Sequence, residues 1–284
     1  MEYRYVRTNN VTLHVAQAGP KDGPLVLLLH GFPEFWYGWR KQIPVLAEAG
    51  FRVWAPDQRG YNLSDKPQGV RSYNLETLSQ DIVGLMDAAG VERACVAGHD
   101  WGAMVTWWLG TNHAERLEKM AIMNVPHPVV FPTFLRSHPV QMLKSWYMLF
   151  FQTPYLPEFV ITKMGRRALR DSSAPGTFDE ADLEKYQEAW NQPGAMTAMI
   201  NWYRAMARPG VQLSIADPKV RVPTLMIWGE EDAFLDRRMA EPSIGLCEEG
   251  DLIKLPGVTH WVQHEAAEQV NRLLIEHFYR GPSV

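Results

Sequence analysis

The chain has 284 residues, enough for one large domain or a domain carrying a lid, and its 46% hydrophobic and 21% charged residues are ordinary globular values. A net charge of −4 gives no electrostatic reason to expect nucleic acid or an acidic membrane as partner. Two cysteines exclude a disulfide framework, and no Cys/His cluster has the spacing of a zinc site. Met1 to Tyr5 has charge but no apolar region behind it, and Leu25 to Leu29 is far short of a membrane span. The expectation is a soluble, cytoplasmic protein, monomeric or homodimeric, with no secretory signal.

Tyr3 to Arg7 and Val11 to Ala16 read as strands flanking an Asn9-Asn10 turn. Leu25 to Leu29 is the continuous apolar run of a fully buried strand. Trp39 to Ala49 has helical spacing and stops at Gly50; Phe51 to Ala55 is a short strand. Asn74 to Ala89 places Leu75, Leu78, Ile82, Leu85 and Met86 on one helical face, ending at Gly90. Ala94 to Ala97 is a strand, Trp101 to Leu109 a helix, and Met120 to Met123 a strand. This alternation predicts an α/β fold, a mostly parallel sheet of about eight strands with helices on both faces. It then breaks: about Pro126 to Val220 holds helical stretches divided by prolines. Strands return at Thr224 to Trp228 and Leu252 to Leu255, and Ala266 to Tyr279 is a closing helix. The expected division is a core of residues 1–125 and 221–284 with a helical insertion, 126–220. Within it, Arg170 to Asp182 has the composition of a mobile loop.

Gly98-His99-Asp100-Trp101-Gly102 joins a strand end to a helix start. It has the small-x-nucleophile-x-small pattern of a nucleophile elbow, with Asp where esterases and lipases carry Ser. An Asp before a helix is also a favoured N-cap, so the pentapeptide alone leaves that reading open. Alkylating a carboxylate gives an ester that water can cleave, whereas alkylating a serine gives an ether that water cannot readily cleave. An Asp100 nucleophile therefore suits attack at an sp³ carbon, as in epoxides and alkyl halides. Its general base is His260, in Gly257-Val258-Thr259-His260-Trp261 after the last strand, and Asp232 of Gly229-Glu230-Glu231-Asp232 orients that histidine. Glu230 and Glu231 are alternative carboxylates. His264, four residues past His260, raises a metal reading, but Trp261 stands where a zincin motif needs Glu.

These motifs, with His30-Gly31-Phe32-Pro33-Glu34, Trp36, Trp39-Arg40 and Asp57-Gln58-Arg59-Gly60-Tyr61, resemble the epoxide hydrolase branch of the α/β-hydrolase superfamily, over nearly the whole chain. The resemblance implies an α/β-hydrolase core with a helical cap at the insertion. It implies oxyanion donors at the Phe32 and Trp101 N–H groups, with His30, Pro33 and His99 behind the reacting groups. Two segments, Trp146 to Gln152 and Asn201-Trp202-Tyr203-Arg204, are similar to those carrying the family's cap tyrosines, which nominates Tyr147 and Tyr203 as proton donors to the epoxide oxygen. Trp36, Phe150 and Phe151 are expected to line a pocket for a lipophilic epoxide, with water as co-substrate and no cofactor or metal. Haloalkane dehalogenases share nucleophile, base and cap, but tend to carry Asn where this chain has Phe32. Fluoroacetate-type dehalogenases place Arg where it has Trp101. A non-catalytic ligand-binding protein on the same scaffold is the alternative of another class.

Overall fold

Asn10, in the left-handed region at φ +59, turns the first hairpin: β1 (Glu2–Thr8) and β2 (Val11–Ala18) run antiparallel. Next come β3 (Leu25–Leu29), α1 (Ile43–Glu48), β4 (Arg52–Pro56), α2 (Leu75–Ala89), β5 (Ala94–His99), α3 (Trp101–Asn112) and β6 (Leu117–Met123). A helical stretch follows: α4 (Val130–Ser137), α5 (Pro139–Lys144), α6 (Trp146–Phe150), α7 (Leu156–Asp171), α8 (Glu180–Trp190) and α9 (Ala195–Met206). The chain closes with β7 (Thr224–Gly229), α10 (Ala240–Ile244), β8 (Gly250–Leu255), α11 (Val262–Glu265) and α12 (Ala267–Tyr279). This computed structural model describes residues 1–208, 215 and 217–279; the predicted insertion's residues 209–214 and 216 lie outside the described residues.

The eight strands form one sheet in the order β1-β2-β4-β3-β5-β6-β7-β8, antiparallel at β1–β2 and β2–β4 and parallel elsewhere. Period-two alternation sends side chains to two cores. Leu27, Leu29 and Val96 meet the apolar faces of α2 and α3 on one side. Val26, Leu28, Cys95 and Ala97 meet Ile43 and Leu46 of α1 and Leu274 and Phe278 of α12 on the other. The α2 boundaries follow the sequence signals: the Asn74 side chain accepts from Thr77 N–H at 3.0 Å, and Gly90 closes the helix at φ +74.

Two local expectations need correction. The helix read over Trp39 to Ala49 is a 3₁₀ turn at Trp36–Trp39 followed by α1 from Ile43. Pro44 sits in the first turn of α1, where its missing N–H costs no hydrogen bond. The segment read as a mobile loop is mostly helix and tether: α7 runs to Asp171, and Asp179 opens α8 with a capping box to Asp182. Between them, Ala174 N–H and the Thr177 hydroxyl both donate to Glu265 Oε1, at 2.8 and 3.4 Å. Among the described residues no helix is long and apolar enough to cross a membrane.

Candidate active site

From β3 the chain moves to β4 on one side of the sheet, and β5 lies on the other, so a crevice opens between the carboxyl ends of β3 and β5. The loop after β3 carries Phe32 and the turn after β5 carries Asp100. That turn is tight enough to demand glycine beside it. A Cβ on Gly102 would lie 2.0 Å from the Leu29 carbonyl oxygen, and one on Gly98 2.3 Å from the Gly102 carbonyl. Asp100 adopts φ +50, ψ −124, a strained position for a residue with a side chain. The strain projects its carboxylate above the sheet at the amino end of α3.

Asp100 Oδ1 accepts the Phe32 N–H at 2.7 Å, and Oδ2 faces His260 Nε2 at 3.6 Å. His260 Nδ1 meets Asp232 Oδ2 at 2.7 Å. Asp232 is fixed in turn: Oδ1 accepts the N–H groups of Phe234 and Leu235 at 2.7 and 2.9 Å, and Oδ2 the Asn124 amide at 2.7 Å. Asn124 follows β6 and also holds the Gly229 N–H at 2.9 Å. Burial alone would lower the His260 pKa; Asp232 and Asp100 outweigh it and raise it to about 10. Burial likewise opposes ionisation of both carboxylates, yet His260 beside them holds each below its ordinary value. The resting site is thus an imidazolium between two carboxylates. Neither Glu230 nor Glu231 makes the hydrogen bond to His260 that Asp232 makes.

Tyr147 on α6 and Tyr203 on α9 meet ring to ring at 5.9 Å above Asp100, and Tyr203 packs edge-on against Phe32 at 5.3 Å and Trp101 at 4.9 Å. Burial, and then the Asp100 charge, push both phenols above the ordinary tyrosine range, so they stay protonated. They divide two cavities of unequal size. One, about 650 Å³, is apolar and lined by Phe150, Phe151, Pro33 and His260; the other, about 60 Å³, lies between Trp101, Met104 and Leu235. Asp100, Tyr147 and Tyr203 line both.

Trp36, expected in the pocket, is not there. Its N–H bonds Asp57 Oδ1 at 3.0 Å and its ring packs on Tyr3 and Phe35, at 5.2 and 6.0 Å, because the 3₁₀ turn carries it away from the cavity. His30, Pro33 and His99 do lie behind the site. His30 is fully buried and receives the Gln58 N–H at 3.0 Å, the Pro33 carbonyl takes the Trp190 indole at 2.6 Å, and His99 Nε2 donates to the His260 carbonyl at 2.9 Å. His264 has both ring nitrogens engaged, at 2.7 Å to Glu34 and 3.1 Å to Arg40.

Sequence reasoning passed over Asn124 and Phe234, and quoted Glu34 in a motif without giving it a role. Phe234 stands between Tyr147 and His260, at 5.9 and 5.2 Å. Glu34 is wholly buried, and four groups converge on it: Tyr186 of α8 at 2.7 Å, His264 at 2.7 Å, Gln263 at 2.9 Å and His99 at 3.3 Å. Burial would raise its pKa, but His264 and His99 hold it well below the carboxylate range. A polar residue at the carboxyl end of a parallel strand was the available signal for Asn124.

A family model described as alpha/beta hydrolase fold matches residues 24–267, and the chain belongs to that family. Within it, the chain falls in the epoxide hydrolase branch. It is 36% identical over 280 residues to epoxide hydrolase 2 of Caenorhabditis elegans, covering 95% of this chain and 78% of that protein. A crystal structure of epoxide hydrolase A from Mycobacterium thermoresistibile matches with a TM-score of 0.84 and 30% identity, over 97% of each chain. The AB hydrolase superfamily protein YfhM of Bacillus subtilis is 48% identical over 278 residues, 96% of each chain.

Proposed function

We propose that the protein hydrolyses lipophilic epoxides to vicinal diols through a covalent ester on Asp100. The observation that carries this reading is the alignment of Asp100 with His260 and Asp232 on one side and two protonated phenols on the other, at the junction of the cavities. Asp100 Oδ2 attacks a ring carbon. The ring C–O bond breaks, its electron pair stays on oxygen, and Tyr147 or Tyr203 supplies the proton. General-acid help of this kind is worth roughly 10² to 10⁴ in rate.

Esterification removes the Asp100 charge, so the imidazolium loses one of the carboxylates that held its proton. That proton returns to the phenolate, and neutral His260 then takes one from water as the water attacks the Asp100 carbonyl carbon. The oxyanion forms on Oδ1, which already holds the Phe32 N–H at 2.7 Å; the Trp101 N–H is the second donor of the reading. Collapse expels the alkoxide with Oδ2. It takes the carboxyl proton and leaves as diol, with the ion pair restored. The cycle calls for water and no cofactor. In the same reading residues 126–220 serve as a cap over a core of 1–125 and 221–284.

The test is turnover of styrene oxide in ¹⁸O-water, with label mapped by peptide mass spectrometry. Label in the Asp100 peptide together with diol is expected, and the Asp100→Ala variant makes no diol. Diol without label in that peptide would mean direct attack by water and would overturn the mechanism.

A further inference from the structure

Among the described residues fourteen large hydrophobic side chains are exposed, and nine of them fall between Val140 and Met164. Three of them surround one opening. Leu143 and Trp146, from α5 and α6, and Met164, from α7, all line the large cavity while remaining 75%, 63% and 52% exposed. They are therefore its rim. Leu149, Tyr155 and Phe159 add further exposed apolar surface from the same helices and the turn between them. Tyr155 sits at φ +63, an unusual conformation for a bulky residue, and is 85% exposed. Contiguous apolar surface at a cavity mouth marks an interaction site.

Charge indicates the occupant. The net −4 of the whole chain conceals a local excess: α5 to α7, Pro139 to Asp171, carries five Lys/Arg against two Asp/Glu, a net of +3. Counting Glu180, which pairs with Arg166 and Arg170, the excess is still +2. Exposed aromatic and aliphatic side chains set among Lys and Arg are the composition of an interfacial surface on anionic lipid. A second copy fits less well. A two-fold contact through this face would oppose two basic surfaces and cover both cavity mouths.

We propose that the α5–α7 face docks on anionic bilayers, so that the large cavity opens toward the lipid. Given the proposed activity, a lipophilic epoxide dissolved in the membrane would then reach Asp100 without crossing bulk water. The docking itself does not depend on that activity.

The experiment is co-sedimentation of the full chain with vesicles of phosphatidylcholine alone and of phosphatidylcholine with 30% phosphatidylglycerol, at low and high salt, beside mass measurement in solution. The expected result is binding to the anionic vesicles that weakens with salt. A Leu149→Ser, Phe159→Ser double variant, which leaves the cavity lining untouched, is expected to lose at least about tenfold in binding. Its turnover of styrene oxide in vesicle-free buffer should remain that of the wild type. No binding to anionic vesicles, binding unaffected by the double variant, or a dimer that the double variant splits would each overturn the proposal. Wild-type turnover of styrene oxide, measured without lipid, reports separately on the proposed activity.

Discussion

The ion pair at the centre of the site sets a pH dependence that can be calculated. His260 Nε2 and Asp100 Oδ2 lie 3.6 Å apart, and His260 has a pKa of about 10 in the resting site. At an effective dielectric constant near 20, a unit charge at that distance is worth about 4.6 kcal/mol, or about 3.4 pH units. In the proposed mechanism, converting Asp100 to an ester removes that contribution, so the histidine of the intermediate should titrate at about 7. The sign follows from its role: a base must be neutral, so ester hydrolysis should rise with pH only up to that value and then level. At pH 7.5 a base held at 10 would be neutral in roughly 0.3% of molecules, and one at 7 in roughly 75%. Single-turnover kinetics, with the Asp100 ester quantified by quenched mass spectrometry, reads the hydrolytic step alone. A plateau above pH 7 to 8, with ester accumulating below pH 6, is expected. A rate still climbing tenfold per pH unit at pH 9 would refute the argument.

Tyr147→Phe and Tyr203→Phe should each slow ester formation by roughly 10- to 100-fold, and both together by about 10³, while ester hydrolysis is unchanged; the same single-turnover assay separates the steps. The unequal cavities predict substrate shape. The 60 Å³ side holds about two water-sized groups. Terminal epoxides with one large substituent should therefore exceed trans-disubstituted epoxides bearing two bulky groups by at least about tenfold in kcat/KM. Equal values for the two would show that the small cavity does not limit the site.

The strands and the elbow were legible because local pattern decides them. Leu25 to Leu29 is buried at every position, and Gly98 is required by the approach of Gly102 within the turn they flank, although the demand for Gly102 comes from the Leu29 carbonyl of β3. The pairing of Asp232 with His260 was readable from the order of strands and motifs. What escaped depends on partners distant in sequence. Ser, Ala, Pro and Gly in 172–176 look like a loose loop until Glu265, 91 residues from Ala174, is placed beside them. Trp36 stood next to the oxyanion motif, but only the 3₁₀ turn and the bond to Asp57 decide which way its ring goes. Net charge is silent on distribution for the same reason, averaging the basic span Pro139 to Asp171 with an acidic remainder.

The buried carboxylate of Glu34 carries a consequence for biosynthesis. Its donors come from residues 99, 186, 263 and 264, and Asp100 meets its histidine only at residue 260. During translation Glu34 emerges long before Tyr186, Gln263 and His264 exist, and Asp100 long before His260; among these partners only His99 is made beside Asp100. The chain must therefore reach the turn after β8 before either anion can be neutralised in a buried site. From residue 100 to residue 260 the growing chain therefore carries the Asp100 carboxylate with no His260 to meet it.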